Sequence, residues 1–399
     1  MDSEKPIPNA GKLWSKTLIA LMCVNFINVL VFYLLMVELV GYSTSTYGVS
    51  KTLAALPNTT YIISALVARI VLGRQIDRWG PMKSLIIGMS FNAAACLGYL
   101  VPLGFWWLIA MRVVHGIGLA LQSASAAAGA ILIIPANRRA EGVGYYSLAQ
   151  ALGSGVGPFV AVLLTSFFEG YHALFVFSAV AACASLLFLT IIKLPRVEQP
   201  DVSGKKIRLG DLVQIQAIPI SCIAALAFFC YSGVGSFVVG YAEAEQFTTI
   251  SVFFLLYSVV IVALRPFAGK RVDRSGENSI IYFTLASLVI GLLMIALAPN
   301  GAVFLLAAAF LGIGVGVTQS VAQAVVAREA PAAEQGRANS TFMMGLDVGS
   351  GFGPMVLGAV LELLTYREMY LALSVVAVLT IVIYYLVHGR YAARSAPRS

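Results

Sequence analysis

Four ionisable residues fall inside long apolar runs: Glu38, Arg112, His115 and Asp347. A charge buried in a bilayer costs at least about 2.5 kcal/mol, so such a residue marks a working site by default. Asp347 has no basic residue near it in sequence. A lone carboxyl in apolar surroundings is suited to taking up and releasing a proton near neutral pH. A structural carboxyl hydrogen-bonded to a neighbouring helix is the plainer alternative. Glu38 and Arg112 lie at similar depths, which allows an ion pair; a Glu38 reaching out to water is the other reading. His115 follows Arg112 by one helical turn and either packs or joins a proton relay.

A second kind of charge sits at the ends of apolar runs. Residues 69–80 read RIVLGRQIDRWG, and residues 265–276 read RPFAGKRVDRSG. Both have the form R-x-x-x-G-x-x-x-D-R-x-G. Gly73 and Gly80, like Gly269 and Gly276, permit close approach and a tight turn. Asp77 and Asp273 can each accept hydrogen bonds from the free N–H groups of a helix N-terminus, where the dipole is positive.

The elements that must position these groups are membrane helices. Of 399 residues, 59% are hydrophobic and 11% charged, against about 25% charged in a soluble domain. The apolar runs have bilayer-spanning length, and helices satisfy their own backbone polar groups there. Twelve spans are expected, at 18–40, 54–72, 84–101, 105–133, 142–167 and 172–193, then 212–239, 250–268, 279–298, 302–326, 337–363 and 370–387. The first is too long for a signal-peptide core and reads as a retained helix. Basic residues gather in alternate loops, among them Arg74, Arg78, Arg138, Arg139, Lys205, Lys206, Lys270 and Arg390, while the other loops hold only Lys51 and Arg367. Basic loops stay inside, so both termini are expected in the cytoplasm. The net charge of +8 needs no nucleic-acid partner. Cys23, Cys96, Cys183, Cys222 and Cys230 all lie in spans without metal-ligand spacing, and read as packing residues.

The chain is a duplicated half. Asp77 and Asp273 stand 196 residues apart, as do Arg69 and Arg265, Gly116 and Gly312, and Pro135 and Pro331. GSGVGP ending at Pro158 returns at the same offset as GSGFGP ending at Pro354. The expected organisation is a six-helix half at 1–194, a cytoplasmic linker at 195–211 and a second half at 212–399. Parallel halves of this kind place the site between them near the midplane.

The phrase at 73–80, the pair Arg112 and Gly116, and the run 153–158 together resemble the major facilitator superfamily, over essentially the whole chain. They are similar to that superfamily's signature loop, its helix-4 arginine motif and the helix-5 motif of its proton-driven exporters. The signature loop usually continues with two basic residues; here Pro81 and Met82 stand there. The resemblance implies that Asp77 docks on the eleventh helix, and the internal repeat extends this to Asp273 on the fifth. Arg78 can pair with Glu141, and Arg274 is its counterpart. Two copies would make a latch between the halves. Gly153, Gly157 and Pro158, with Gly349, Gly353 and Pro354, allow close helix packing and a bend; a hinge that seals the route is the functional reading.

Asn25, Asn28, Tyr33, Gln122, Tyr231, Gln319 and Gln323 are the expected cavity lining. A mostly apolar pocket with few fixed charges suits an amphiphilic organic molecule, and Arg112 could meet an organic anion. The resulting expectation is an all-α, monomeric secondary transporter in the cytoplasmic membrane, exchanging a small organic compound for protons. A proton symporter importing a sugar or organic acid shares the fold, and a non-transporting membrane receptor is the reading from another class. No metal cluster, nucleophile elbow or phosphate loop supports an enzyme or a cofactor.

Overall fold

In the computed structural model, residues 13–135, 138–168, 170–195, 213–275, 277–330 and 334–390 are described, with backbone alone at 73–77, 139–140, 265–275, 327 and 335–336. The expected linker and both termini lie outside them. The expected spans fall on helix. Among the described residues ten helices are long and apolar enough to cross a bilayer, and the eighth span is the shorter apolar helix Ile250–Leu264.

Helix α1 is Lys16–Tyr47, started by the Ser15 side chain accepting from the Leu18 amide and stopped at Gly48 (φ 62°). The next two spans form one helical stretch, Lys51–Gly98, whose direction changes at Gly80 (φ 75°, ψ 164°). We label its arms 51–79 and 81–98 as α2 and α3. This backbone angle is where a residue without Cβ is needed, so the glycine of the repeated phrase makes the turn. Then come α4 Phe105–Ile133, α5 Arg139–Phe167 and α6 His172–Leu187. The second half holds α7 Ile218–Ala244, α8 Ile250–Ser275 and α9 Glu277–Ala296. Its α10 spans 301–329 and contains a π-helical turn, Gly312–Val317. Helices α11 Gln335–Val360 and α12 Tyr366–Tyr384 complete it. The α2–α3 and α8–α9 turns mark one end of the bundle, here termed the basic end.

The duplication reaches the level of individual contacts. Gly116 on α4 packs against Tyr61 and Ser64 of α2, and Gly312 on α10 packs against Tyr257 and Val260 of α8. Gly153 lies against Val29, and Gly349 against Ala225; Gly155 lies against Ser258, and Gly351 against Ile62. In every case both partners are displaced by the same 196 residues. The first two sets hold each half together. The third joins the halves, α5 to α8 and α11 to α2. The core of the second half also extends across this boundary to Val37, Val40, Ala54, Ala55, Ala151 and Val162.

The glycine-proline runs sit inside continuous helices. Their packing role is visible: a methyl carbon at Gly349 would lie 2.1 Å from the Ala225 carbonyl oxygen. Gly144 on α5 is exposed and has nothing within 4 Å of such a carbon. Gly349→Ala should therefore lower stability by about 1–3 kcal/mol through overpacking. Gly144→Ala should be neutral or stabilising by about 0.5–1 kcal/mol, through reduced backbone entropy. Thermal melts in detergent check both; equal effects would remove the close-packing account.

Candidate functional site

The halves meet along two related seams, α2 with α11 and α5 with α8, and α1 meets α7 between them. On the first seam Ile62 lies against the bare face of Gly351. Farther toward the basic end, Arg69 of α2 forms an ion pair with Asp347 of α11. Gly351 lets the helices approach, and the long arginine side chain covers the remaining distance. This corrects one expectation: Asp347 is not a lone carboxyl. An isolated aspartate at membrane depth costs about 2.5–3.5 kcal/mol, which a cross-seam guanidinium offsets. On the second seam the equivalent of Asp347 is Ala151, which is buried and apolar. The aspartate of this ion pair therefore has no acidic counterpart at the equivalent position of the second seam; the side chain of Arg265, the counterpart of Arg69, lies outside the described residues.

Arg112 and Glu38 do not pair. Arg112 is fully buried inside the first half, where Nε donates to the Pro57 carbonyl at 3.0 Å and Nη2 to Asn58 Oδ1 at 3.3 Å. Its guanidinium lies over the Tyr61 ring, 4.4 Å from the centroid. Asn58 in turn donates to the Met36 carbonyl at 2.7 Å and to Ser236 of the second half at 3.2 Å. His115 packs edge-on to Tyr61, and its Nδ1 is 3.0 Å from the Tyr99 hydroxyl. Arg112 thus ties α4 to α2, and it is enclosed rather than open to an organic anion. Glu38 is buried elsewhere, accepting from Thr165 of α5 at 3.3 Å. The two residues share a depth but lie on helix faces that diverge.

Of the expected lining, Asn28 and Gln122 are spent inside the first half. Asn92 Nδ2 donates to both, at 3.1 Å to Asn28 and more closely to Gln122, and Gln122 Nε2 donates to the Val24 carbonyl at 3.4 Å. Gln323 donates to Asn339 at 2.9 Å, and Gln319, one turn before it on α10, is partly buried. Tyr33 does reach the boundary between halves: its ring is 6.3 Å from that of Tyr231, which stacks on Tyr257 at 5.4 Å. Asn25 Nδ2, about two turns before Tyr33 on α1, and Ser258 Oγ, adjoining Tyr257, are buried without a hydrogen-bond partner among the described residues, the second of them at this strip. Buried polar atoms normally have one, which marks this aromatic strip as a place for a polar group to enter.

The duplication shows how one-sided this chemistry is. Asn28, Asn58, Asn92, Arg112 and His115 correspond at the fixed offset to Ala224, Phe254, Leu288, Ala308 and Leu311. The first half carries a polar interior and the second an apolar one. The second half has its own cluster at the basic end instead. Arg328 at the close of α10 donates to Glu277 at 2.8 Å, and His388 lies 3.4 Å from the same carboxylate. Its counterparts are Leu132, Pro81 and Ile192.

The expected latch is corrected at one point. Glu141 pairs with Arg138 through two 2.7 Å hydrogen bonds, and Arg78 is exposed. A partner three residues before it on the same turn forestalls the distant one. Gly276 and the side chains of Asp77, Asp273 and Arg274 lie outside the described residues, as do the surroundings of Gly73 and Gly269. Sequence reasoning also passed over Asn58 and Asn92, although each is a polar residue inside an apolar span.

Known proteins supply the last observations. Relatives include the Staphylopine export protein of Staphylococcus aureus, 24% identical over 85% of this chain and 88% of its own length. An uncharacterized MFS-type transporter of Burkholderia mallei is 23% identical over 94% and 93%. A crystal structure of the peptide transporter POT superposes with a TM-score of 0.77 at 15% identity, covering 95% of each chain. The human organic anion transporter MFSD10 does so with 0.71 at 16%, covering 92% and 98%; both likenesses speak to fold alone. The profile of the Major Facilitator Superfamily matches residues 21–308 and 220–399. The chain belongs to that superfamily and is a membrane transporter, not an enzyme.

Proposed function

We propose that this transporter, acting as a monomer, exports a small organic compound across the cytoplasmic membrane in exchange for protons, with Asp347 as the residue on which the proton acts. The observation that carries this reading is the Arg69–Asp347 ion pair across the α2–α11 seam. As a carboxylate, Asp347 holds α11 to Arg69 of α2. A proton on it removes the ion pair, an attraction of about 4 kcal/mol for charges 4 Å apart at an effective dielectric of 20. That is enough to turn a seam from closed to open, since tenfold in an equilibrium is about 1.4 kcal/mol. The proton and the tether compete for one carboxylate, so proton movement and seam movement are linked. Once the proton leaves, Arg69 recovers its partner and the halves close again.

Export is supported by the named activity of the staphylopine relative and by the glycine run at 153–158. The aromatic strip of Tyr33, Tyr231 and Tyr257 supports an amphiphilic organic substrate. His115 and Arg112 take a supporting part, holding α2 and α4 in register beneath the seam. The basic end faces the cytoplasm in this reading, and the two copies of the phrase latch it.

Two results follow. Asp347→Asn should abolish accumulation driven by an imposed pH gradient while leaving substrate binding in detergent intact, because the amide carries no exchangeable charge. Gradient-driven transport at the wild-type level by this variant would remove Asp347 as the coupling site. For the orientation, Ser203→Cys should react with an impermeant thiol reagent only in inverted vesicles. Labelling on intact cells would reverse the assignment of the two faces.

A further inference from the structure

At the end of the bundle away from the repeated phrase, a cavity of about 420 Å³ lies between the halves. Its walls come from α1, α5, α7 and the segment leading into α8. Two acidic side chains face it, Glu38 from the first half and Glu243 from the second, and none of its lining residues is basic. Glu38 is 3% exposed. The Thr165 hydroxyl that donates to it also lies 3.2 Å from two backbone carbonyls, so one proton is divided among three acceptors. The cations on this face are committed elsewhere. Arg367 makes two hydrogen bonds to Glu245, at 2.9 and 2.6 Å. Lys51 lies over the Tyr366 ring, 4.7 Å from its centroid, and donates to the Leu361 carbonyl at 3.5 Å.

We infer that this cavity is a binding site for a small organic ammonium ion, held between Glu38 and Glu243. Two carboxylates facing one cavity repel unless one takes up a proton or a positive charge stands between them, and among the described residues the lining supplies no basic side chain. The remaining surface decides the kind of cation. A hard metal ion is ringed closely by six or more oxygens, whereas Val162, Val239 and Ile250 make much of this wall apolar. Tyr171 and Phe247 add aromatic surface, which attracts cationic nitrogen. The volume falls within the range of small-molecule sites, about 300–1,000 Å³. Because its two anions come from different halves, the occupant also draws the halves together at this face, which is the outer one in the proposed orientation. The site is separate from the Asp347 seam and rests on the transporter reading only for that orientation.

The test is calorimetric titration of the full chain in lipid nanodiscs with benzyltrimethylammonium, beside benzyl alcohol and benzoate, at neutral pH and without a proton gradient. The cation should bind saturably and the neutral and anionic compounds should not. Glu38→Gln should weaken cation binding by about tenfold or more, as expected on removing a buried charge partner, and Glu243→Gln should weaken it less, because Glu243 is exposed at the cavity and its charge is screened. Val162→Trp, which fills the cavity and leaves both acids, should also abolish it. Absence of saturable cation binding, equal binding of benzyl alcohol, or wild-type affinity in both glutamine variants would overturn the site. None of these outcomes depends on whether Asp347 couples transport.

Discussion

A buried charge in a bilayer must be matched, and here one match spans a boundary that has to open. Arg69 and Asp347 neutralise each other across the α2–α11 seam. The two side chains are largely but not fully enclosed, Arg69 26% and Asp347 17% exposed, so the pair holds the seam by less than the cost of breaking a fully buried one, about 3–5 kcal/mol. Protonation removes the charge without removing the residue, and leaves a neutral acid that the surroundings tolerate. A firm contact that a single proton can release is what a coupled transporter needs between its halves. The close approach at Gly351 is therefore part of the same device, because without it the arginine would fall short.

The duplicated architecture gives this device its contrast. Both seams inherit a glycine at the closest approach, Gly155 and Gly351, yet one has Asp347 where the other has Ala151. The polar interior of the first half, with Arg112 bound to the Pro57 carbonyl and Asn92 bound to Asn28 and Gln122, faces apolar equivalents in the second. Two atoms of that network, Arg112 Nη1 and Asn92 Oδ1, are buried without a hydrogen-bond partner among the described residues, so it ties α1, α2, α3 and α4 together without being fully satisfied. The second half is held by apolar packing and by the Glu277–Arg328–His388 cluster at its basic end. Its π-helical turn at Gly312–Val317 has an α-helical counterpart in α4, so the halves differ in backbone as well as in charge.

Much of this was legible in the residues. The 196-residue offset anticipated contact partners as well as motifs, because a duplicated sequence folds into duplicated packing. The helices followed from length and hydropathy, and Gly80 followed from the turn the phrase requires. Asp347 and Arg112 were visible as charges in apolar runs. Their partners were not. Arg69 lies 278 residues before Asp347, and no local spacing connects them. Depth along a helix can be counted from sequence, but rotation about it is set by packing, which is why Glu38 and Arg112 agree in depth and never meet. Asn28 and Gln122 were recognised as polar, whereas their commitment to Asn92 depends on how α1, α3 and α4 converge.

The most direct test follows the α2–α11 seam itself as protons bind. Spin labels at Val71→Cys on α2 and Ser340→Cys on α11, in a background freed of the native cysteines, report the separation of the helices near the basic end. In the proposed mechanism a proton on Asp347 dissolves the tether, so the distance distribution should shift toward longer separations as pH falls. With Asp347→Asn the long separations should be present at every pH. Distributions that ignore pH in the wild type, or that are the same with aspartate and asparagine throughout, would contradict the account.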